Sequence, residues 1–61
     1  MDDMDVIKEG MARLRLSDMK TLSKVTRIPE PTLIKIYYGT TKYPRFPTIK
    51  RLSAHFKRAA L

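Results

Sequence analysis

The stretch LSKVTRIPEPTLIKIYYG, residues 22–39, holds two short apolar patterns separated by a turn that contains proline. Leu22 and Val25 are spaced to face inward from one helix, with Met19 a third, and Ser17-Asp18 supplies a good N-cap at its start. Pro29 lacks an N–H donor and biases Ile28 away from helical backbone, so this helix is expected to end by Thr26 or Arg27. A new helix can begin at once near Glu30, because Pro31 suits a first turn, where the missing N–H has no partner to lose. Leu33, Ile36 and Tyr37 then form a core-facing stripe, leaving Glu30, Pro31, Ile34, Lys35 and Tyr38 on the other side. Gly39 can take the left-handed conformation that closes a helix. Ser23 is small enough to sit where two helices cross steeply, and Ile28 is placed to lock the pair. The spacing predicts a helix-turn-helix over about residues 18–38.

Outward from this unit the chain reads as helical throughout. Met4, Ile7, Met11 and Leu14 recur at three- and four-residue steps, predicting a helix from about Asp3 to Leu14, with Asp2, Asp3 and Asp5 at its positive end. Gly10 weakens that helix slightly or admits a close neighbour. TTKYPRF reads as an ordered loop in which Phe46 anchors into the core, and a last helix near Pro47-Thr48 buries Ile49, Leu52 and Phe56. Tyr37 is expected to pack on the first helix near Met11, and His55 to sit at the edge of the last. The expected fold class is all-α, a compact bundle of four helices, or five, forming one domain over residues 1–61.

Composition narrows the function. A chain of 61 residues buries only about 60% of the surface it exposes when unfolded, so the core has to be small and continuous. With no cysteine there is no disulfide framework and no cysteine-based zinc site, as suits a reducing cytoplasm. The start, MDDMDVIKEG, is acidic and lacks the basic flank and long apolar run of a signal peptide, and no segment nears the roughly 20 apolar residues of a membrane span, so a soluble intracellular protein is expected. His55 is the only histidine and no carboxylate follows Glu30, so an enzyme, a metal centre, a cofactor and a small-molecule substrate are not expected.

Charge is distributed unevenly. Residues 1–30 hold six basic and six acidic side chains, whereas residues 31–61 hold Lys35, Lys42, Arg45, Lys50, Arg51, Lys57 and Arg58 with no acid, so the whole +7 lies there. A merely solubilising surface mixes both signs, and this asymmetry favours a polyanionic partner.

LSKVTRIPEPTLIKIYYG resembles the helix-turn-helix of the phage Cro and repressor family, and GTTKYPRF resembles the loop G-K-T-K-R-P-R-F of lambdoid phage repressors. The resemblance runs from about Leu14 to Phe56 and implies a lambda-repressor-like bundle that binds double-stranded operator DNA, usually as a homodimer, to regulate transcription. It places Pro29, Glu30, Pro31 and Lys35 against base edges, with Ile34 on the same face. It matches Tyr38, Thr40, Thr41 and Lys42 to phosphate contacts and Arg45 to a narrowed minor groove; Ser17, Thr32 and Tyr43 are further phosphate candidates.

Elementary chemistry agrees. Lys35 can donate to guanine O6 or N7, Glu30 can accept from cytosine N4 or simply cap its helix, and Ile34 or Pro29 can pack on a thymine methyl. Hydroxyl, ammonium, phenol and guanidinium groups at Thr40, Thr41, Lys42, Tyr43 and Arg45 suit backbone oxygens.

The chain departs from the family at several points. Arg27 stands where the turn usually has glycine, and a left-handed backbone there costs a non-glycine residue about 1 kcal/mol. One extra residue separates Leu16 from Leu22, and a phosphate-binding glutamine common in the family has only Ser17 or Met19 in its vicinity. Relatives usually continue into a fifth helix that supports dimerisation; here Phe56, Ala59, Ala60 and Leu61 are the candidates, against a frayed end. The competing reading is a basic interaction module, since TIKRLSAHFKRAAL is an amphipathic helix that suits an anionic membrane, a partner's groove or RNA. Against it, Ile49, Leu52 and Phe56 are needed to close so small a core.

Overall fold

A computed structural model describes residues 2–41 and 44–59, in which the chain forms four α-helices and, among the described residues, no strand. The helices are α1 (Asp3–Ala12), α2 (Met19–Thr26), α3 (Glu30–Tyr37) and α4 (Phe46–Ala59), with a single 3-10 turn at Leu16–Asp18 before α2. The all-α bundle read from periodicity is the architecture observed. Each helix supplies two buried apolar side chains: Ile7 and Met11, Met19 and Leu22, Leu33 and Ile36, Leu52 and Phe56. Ile28, between α2 and α3, is only 3% exposed and joins them to complete one continuous cluster. Met4, Leu14, Tyr37 and Ile49 pack around its margin.

α1 and α4 form the base of the bundle. Gly10 and the Phe56 ring meet so closely that no Cβ fits between them, which explains a glycine in mid-helix. The N-terminus of α1 is capped by Asp2, whose carboxylate accepts the Asp5 N–H at 2.8 Å. Asp3 turns to α4 instead, accepting the Ser53 hydroxyl at 2.8 Å and facing the ammoniums of Lys57 and Lys50 at 3.4 and 3.6 Å. The Ser53 hydrogen bond above all holds the Asp3 carboxyl below its ordinary value; burial opposes it, and the ammoniums of Lys57 and Lys50 add to the lowering.

The structure corrects several local expectations. α1 stops at Ala12, and Leu14 lies beyond it, half-buried, with its carbonyl accepting the Tyr37 hydroxyl at 3.3 Å. That hydrogen bond ties α3 to the end of α1, on the side where Tyr37 was expected. Ser17 caps nothing: it lies exposed inside the 3-10 turn, and Asp18 closes the turn by accepting the Arg15 N–H at 2.7 Å. Val25 does not face inward but is 59% exposed, and Thr26 takes the buried position, its hydroxyl satisfied by the Leu22 carbonyl at 2.7 Å. Phe46 is no loop anchor. It opens α4 at 69% exposure beneath the Lys50 ammonium, 5.3 Å from the ring centre, whereas Pro44, two residues earlier, is buried. Phe56, buried in the cluster, is unavailable for contact with a second copy.

Candidate nucleic-acid interface

Three local devices fix how α3 is held. At the end of α2, Arg27 adopts left-handed backbone (φ 61°, ψ 28°), and its N–H donates to the Ser23 carbonyl at 2.8 Å. It is the sole non-glycine residue with positive φ among those described. The turn therefore keeps the geometry glycine serves in the family, at a cost of about 1 kcal/mol. One residue on, the Ser23 hydroxyl donates to the Ile28 carbonyl at 2.6 Å. Ser23 thus does more than leave room at the crossing: it reaches across the turn and pins it. At the far end of α3, Gly39 has φ 77°; its N–H donates to the Ile36 carbonyl at 3.1 Å, and the Thr40 N–H to the Lys35 carbonyl at 2.9 Å. These are the two hydrogen bonds of a Schellman close. The Thr40 hydroxyl also donates to the Lys35 carbonyl at 3.0 Å, and the Thr41 N–H at 3.4 Å.

With both ends fixed, the faces of α3 separate cleanly. Leu33 and Ile36 are buried. Pro31, Ile34, Lys35 and Tyr38, at steps of three, four and seven residues, form the opposite stripe. Pro31 and Lys35 are exposed and Tyr38 is 61% exposed, its ring in an edge contact with Tyr37 at 5.4 Å. Ile34 is half-buried, its inner side against the core cluster and the rest open to solvent, so it is a fixed apolar ledge rather than a free side chain. Pro29 is exposed just ahead of α3, and its carbonyl accepts the Thr32 and Leu33 N–H groups. Glu30, half-buried in the first turn, makes no side-chain hydrogen bond or ion pair among the described residues.

Beyond α3, Thr40 and Arg45 are exposed and Thr41 half-buried, and the Arg45 carbonyl accepts the Ile49 N–H at 3.0 Å to start α4. Lys42 and Tyr43 lie outside the described residues, as do Ala60 and Leu61. Thr32 is half-buried on α3 and Ser17 exposed ahead of α2. Met19, the alternative to Ser17 for the family's glutamine position, is fully buried, which leaves Ser17 alone there. Among the described residues no helix is long and apolar enough to cross a membrane.

A family model described as a Cro/C1-type HTH DNA-binding domain matches residues 6–57, from within α1 to near the end of α4. Comparison with curated proteins and with solved structures returns no match. The matched span takes in the whole helix-turn-helix and the bundle that holds it, and the chain belongs to the Cro/C1-type helix-turn-helix family of DNA-binding domains.

Proposed function

We propose that residues 1–61 form one domain acting as a sequence-specific transcriptional regulator of the small phage Cro or repressor type, at work in the cytoplasm of a bacterial host. In this reading α3 enters the major groove. Lys35 donates to a guanine edge, Ile34 and Pro29 pack on thymine methyls, and Pro31 and Glu30 fill the remaining base-edge positions. Ser17, Thr32, Tyr38, Thr40, Thr41, Lys42 and Tyr43 meet phosphates, and Arg45 reaches a narrowed minor groove. The observation that carries this is the stripe Pro31, Ile34, Lys35 and Tyr38, held outward on a helix whose two ends are locked by hydrogen bonds.

Two copies on a near-palindromic operator are part of the same proposal. A body measuring 25 × 23 × 19 Å fits beside a second on half-sites about 34–36 Å apart without collision. That separation exceeds the longest dimension of the body, so the protomers meet at most through long side chains, and cooperativity is expected to come largely from the DNA.

Selection of bound duplexes from a randomised pool, followed by titration of the winners, tests the reading. Lys35→Ala is expected to lose about 1–3 kcal/mol of discrimination at one guanine, while Lys42→Ala weakens all duplexes alike and lowers the salt slope by about one. Equal losses on every duplex for Lys35→Ala would overturn the base-reading role.

A further inference from the structure

α4 carries more positive charge than its packing uses. Arg51, Ala54, His55 and Arg58 recur at three- and four-residue steps, a stripe distinct from the buried Leu52, Ser53 and Phe56. Across a groove of about 410 Å³ from this stripe stand Val25 and Arg27, at the end of α2. Among the described residues, the groove has no carboxylate in its lining and no residue from α3 or from the loop that follows it. Lys50 borders the groove but is engaged with Asp3, whereas Arg27, Arg51 and Arg58 form no ion pair among the described residues. Two further observations converge here. Arg27 holds its place on strained left-handed backbone, and the exposed apolar Val25 lies beside it.

We propose that this groove docks an acidic amphipathic helix of a partner protein. Arg51 and Arg58 lie about 10.5 Å apart along α4, the separation of two carboxylates seven residues apart on a facing helix. Arg27 receives a third carboxylate from the α2 side. Ala54 lets the partner approach closely, and one apolar partner side chain covers Val25. Duplex DNA fits the groove poorly: a convex phosphate rod does not fill a concavity between two helices and has no apolar group to set against Val25. The proposal is independent of the reading of α3, whose residues the groove does not share.

The test is a titration, by fluorescence anisotropy, of the full chain with a labelled helical peptide bearing glutamates at i, i+3 and i+7 around one leucine. A scrambled peptide and a duplex of mixed sequence are measured in parallel at physiological salt. The designed peptide is expected to bind saturably and at least about tenfold more tightly than its scrambled form. Arg27→Gly gives the sharpest readout, because it relieves backbone strain: it should raise the melting temperature yet weaken the peptide about threefold, with duplex affinity changed less. Arg51→Ala/Arg58→Ala, both at exposed positions, repeats the comparison without touching the turn. Equal binding of designed and scrambled peptides overturns the proposal. So does a loss of duplex affinity in these variants as large as the loss of peptide affinity, which would assign the groove to nucleic acid.

Discussion

Replacing Gly10 with alanine tests the α1–α4 contact on which the bundle rests. The added Cβ would lie 2.4 Å from Cδ1, 2.5 Å from Cγ and 2.7 Å from Cδ2 of Phe56. Carbon atoms settle about 3.5–4.0 Å apart, so the ring has to retreat by about 1 Å. Rotating the ring about its own axis gives no relief, because Cγ lies on that axis. Either Phe56 changes its first side-chain torsion within a packed cluster, or α1 separates from α4. Overpacking of this kind costs about 1–3 kcal/mol, and the better helix propensity of alanine returns about 0.5–1 kcal/mol. The net expectation is a loss of about 1–2 kcal/mol, or about 5–15 °C in melting temperature for a domain of this size. Thermal unfolding followed by far-ultraviolet circular dichroism at fixed salt measures it. Adding Phe56→Leu should recover part of the loss, giving a coupling of about 0.5–3 kcal/mol. A Gly10→Ala variant that melts at or above the parent temperature would refute the claim that close approach, rather than chance, keeps glycine here.

Two further substitutions probe hydrogen bonds that hold the frame. Asp3 has its folded-state pKa depressed by Ser53, Lys57 and Lys50, so its contribution is present above the ordinary value of 3.8 and is lost as pH falls through the lower folded-state value. Asp3→Asn should therefore flatten the acid limb of a stability–pH profile below about pH 4 and leave its shape near neutrality unchanged; an unaltered acid limb would show that other carboxylates set it. Ser23→Ala removes the hydroxyl that donates to the Ile28 carbonyl and should lower the urea midpoint, by about 0.5–1.5 kcal/mol in stability, with an unchanged slope. A midpoint equal to the parent's would mean that the turn is held by packing of Ile28 alone.

Local chemistry made the helix-turn-helix legible because its punctuation is covalent. Pro29 and Pro31 cannot continue one helix but can open another, and Gly39 accepts a backbone that other residues resist. Apolar spacing then identified Leu22, Leu33, Ile36, Leu52 and Phe56 correctly as core. That criterion failed at Val25, and the separate expectation that Phe46 anchors its loop failed for a different physical reason. At the end of α2, adjacent positions 25 and 26 compete for the core side, and a threonine whose hydroxyl bonds back to the preceding turn can be buried as cheaply as a valine. Phe46 lies six residues, about 9 Å along the axis, before the first fully buried residue of α4, so it projects past the end of the core whatever its hydropathy. The ties between Asp3 and Ser53 and between Gly10 and Phe56 join residues far apart in sequence, where no periodic pattern reports them. For the candidate interface, the outward positions of Pro31, Lys35 and Tyr38 on α3 were readable from the chain, but the locking of α3 through Ser23, Arg27 and Gly39 required the backbone angles.

The two basic surfaces have different reach, and salt decides whether they act separately. Asp3 draws Lys50 and Lys57 toward α1, leaving Arg27, Arg51 and Arg58 on the α2–α4 side and Lys35 and Arg45 with α3 and its loop. At physiological ionic strength the screening length is about 8 Å, well under the 25 × 23 × 19 Å extent of the molecule, so an anion at one surface scarcely senses the other. At about 0.01 M salt the length grows to about 30 Å, and the whole +7 acts on any polyanion as a single field. Under those conditions neutralising any arginine weakens duplex binding, whatever it touches. The division of labour between α3 and the groove is therefore visible only near physiological salt, where Arg27→Gly should weaken the peptide about threefold with a smaller effect on duplex, and Lys35→Ala should lose discrimination on duplex while leaving peptide affinity unchanged.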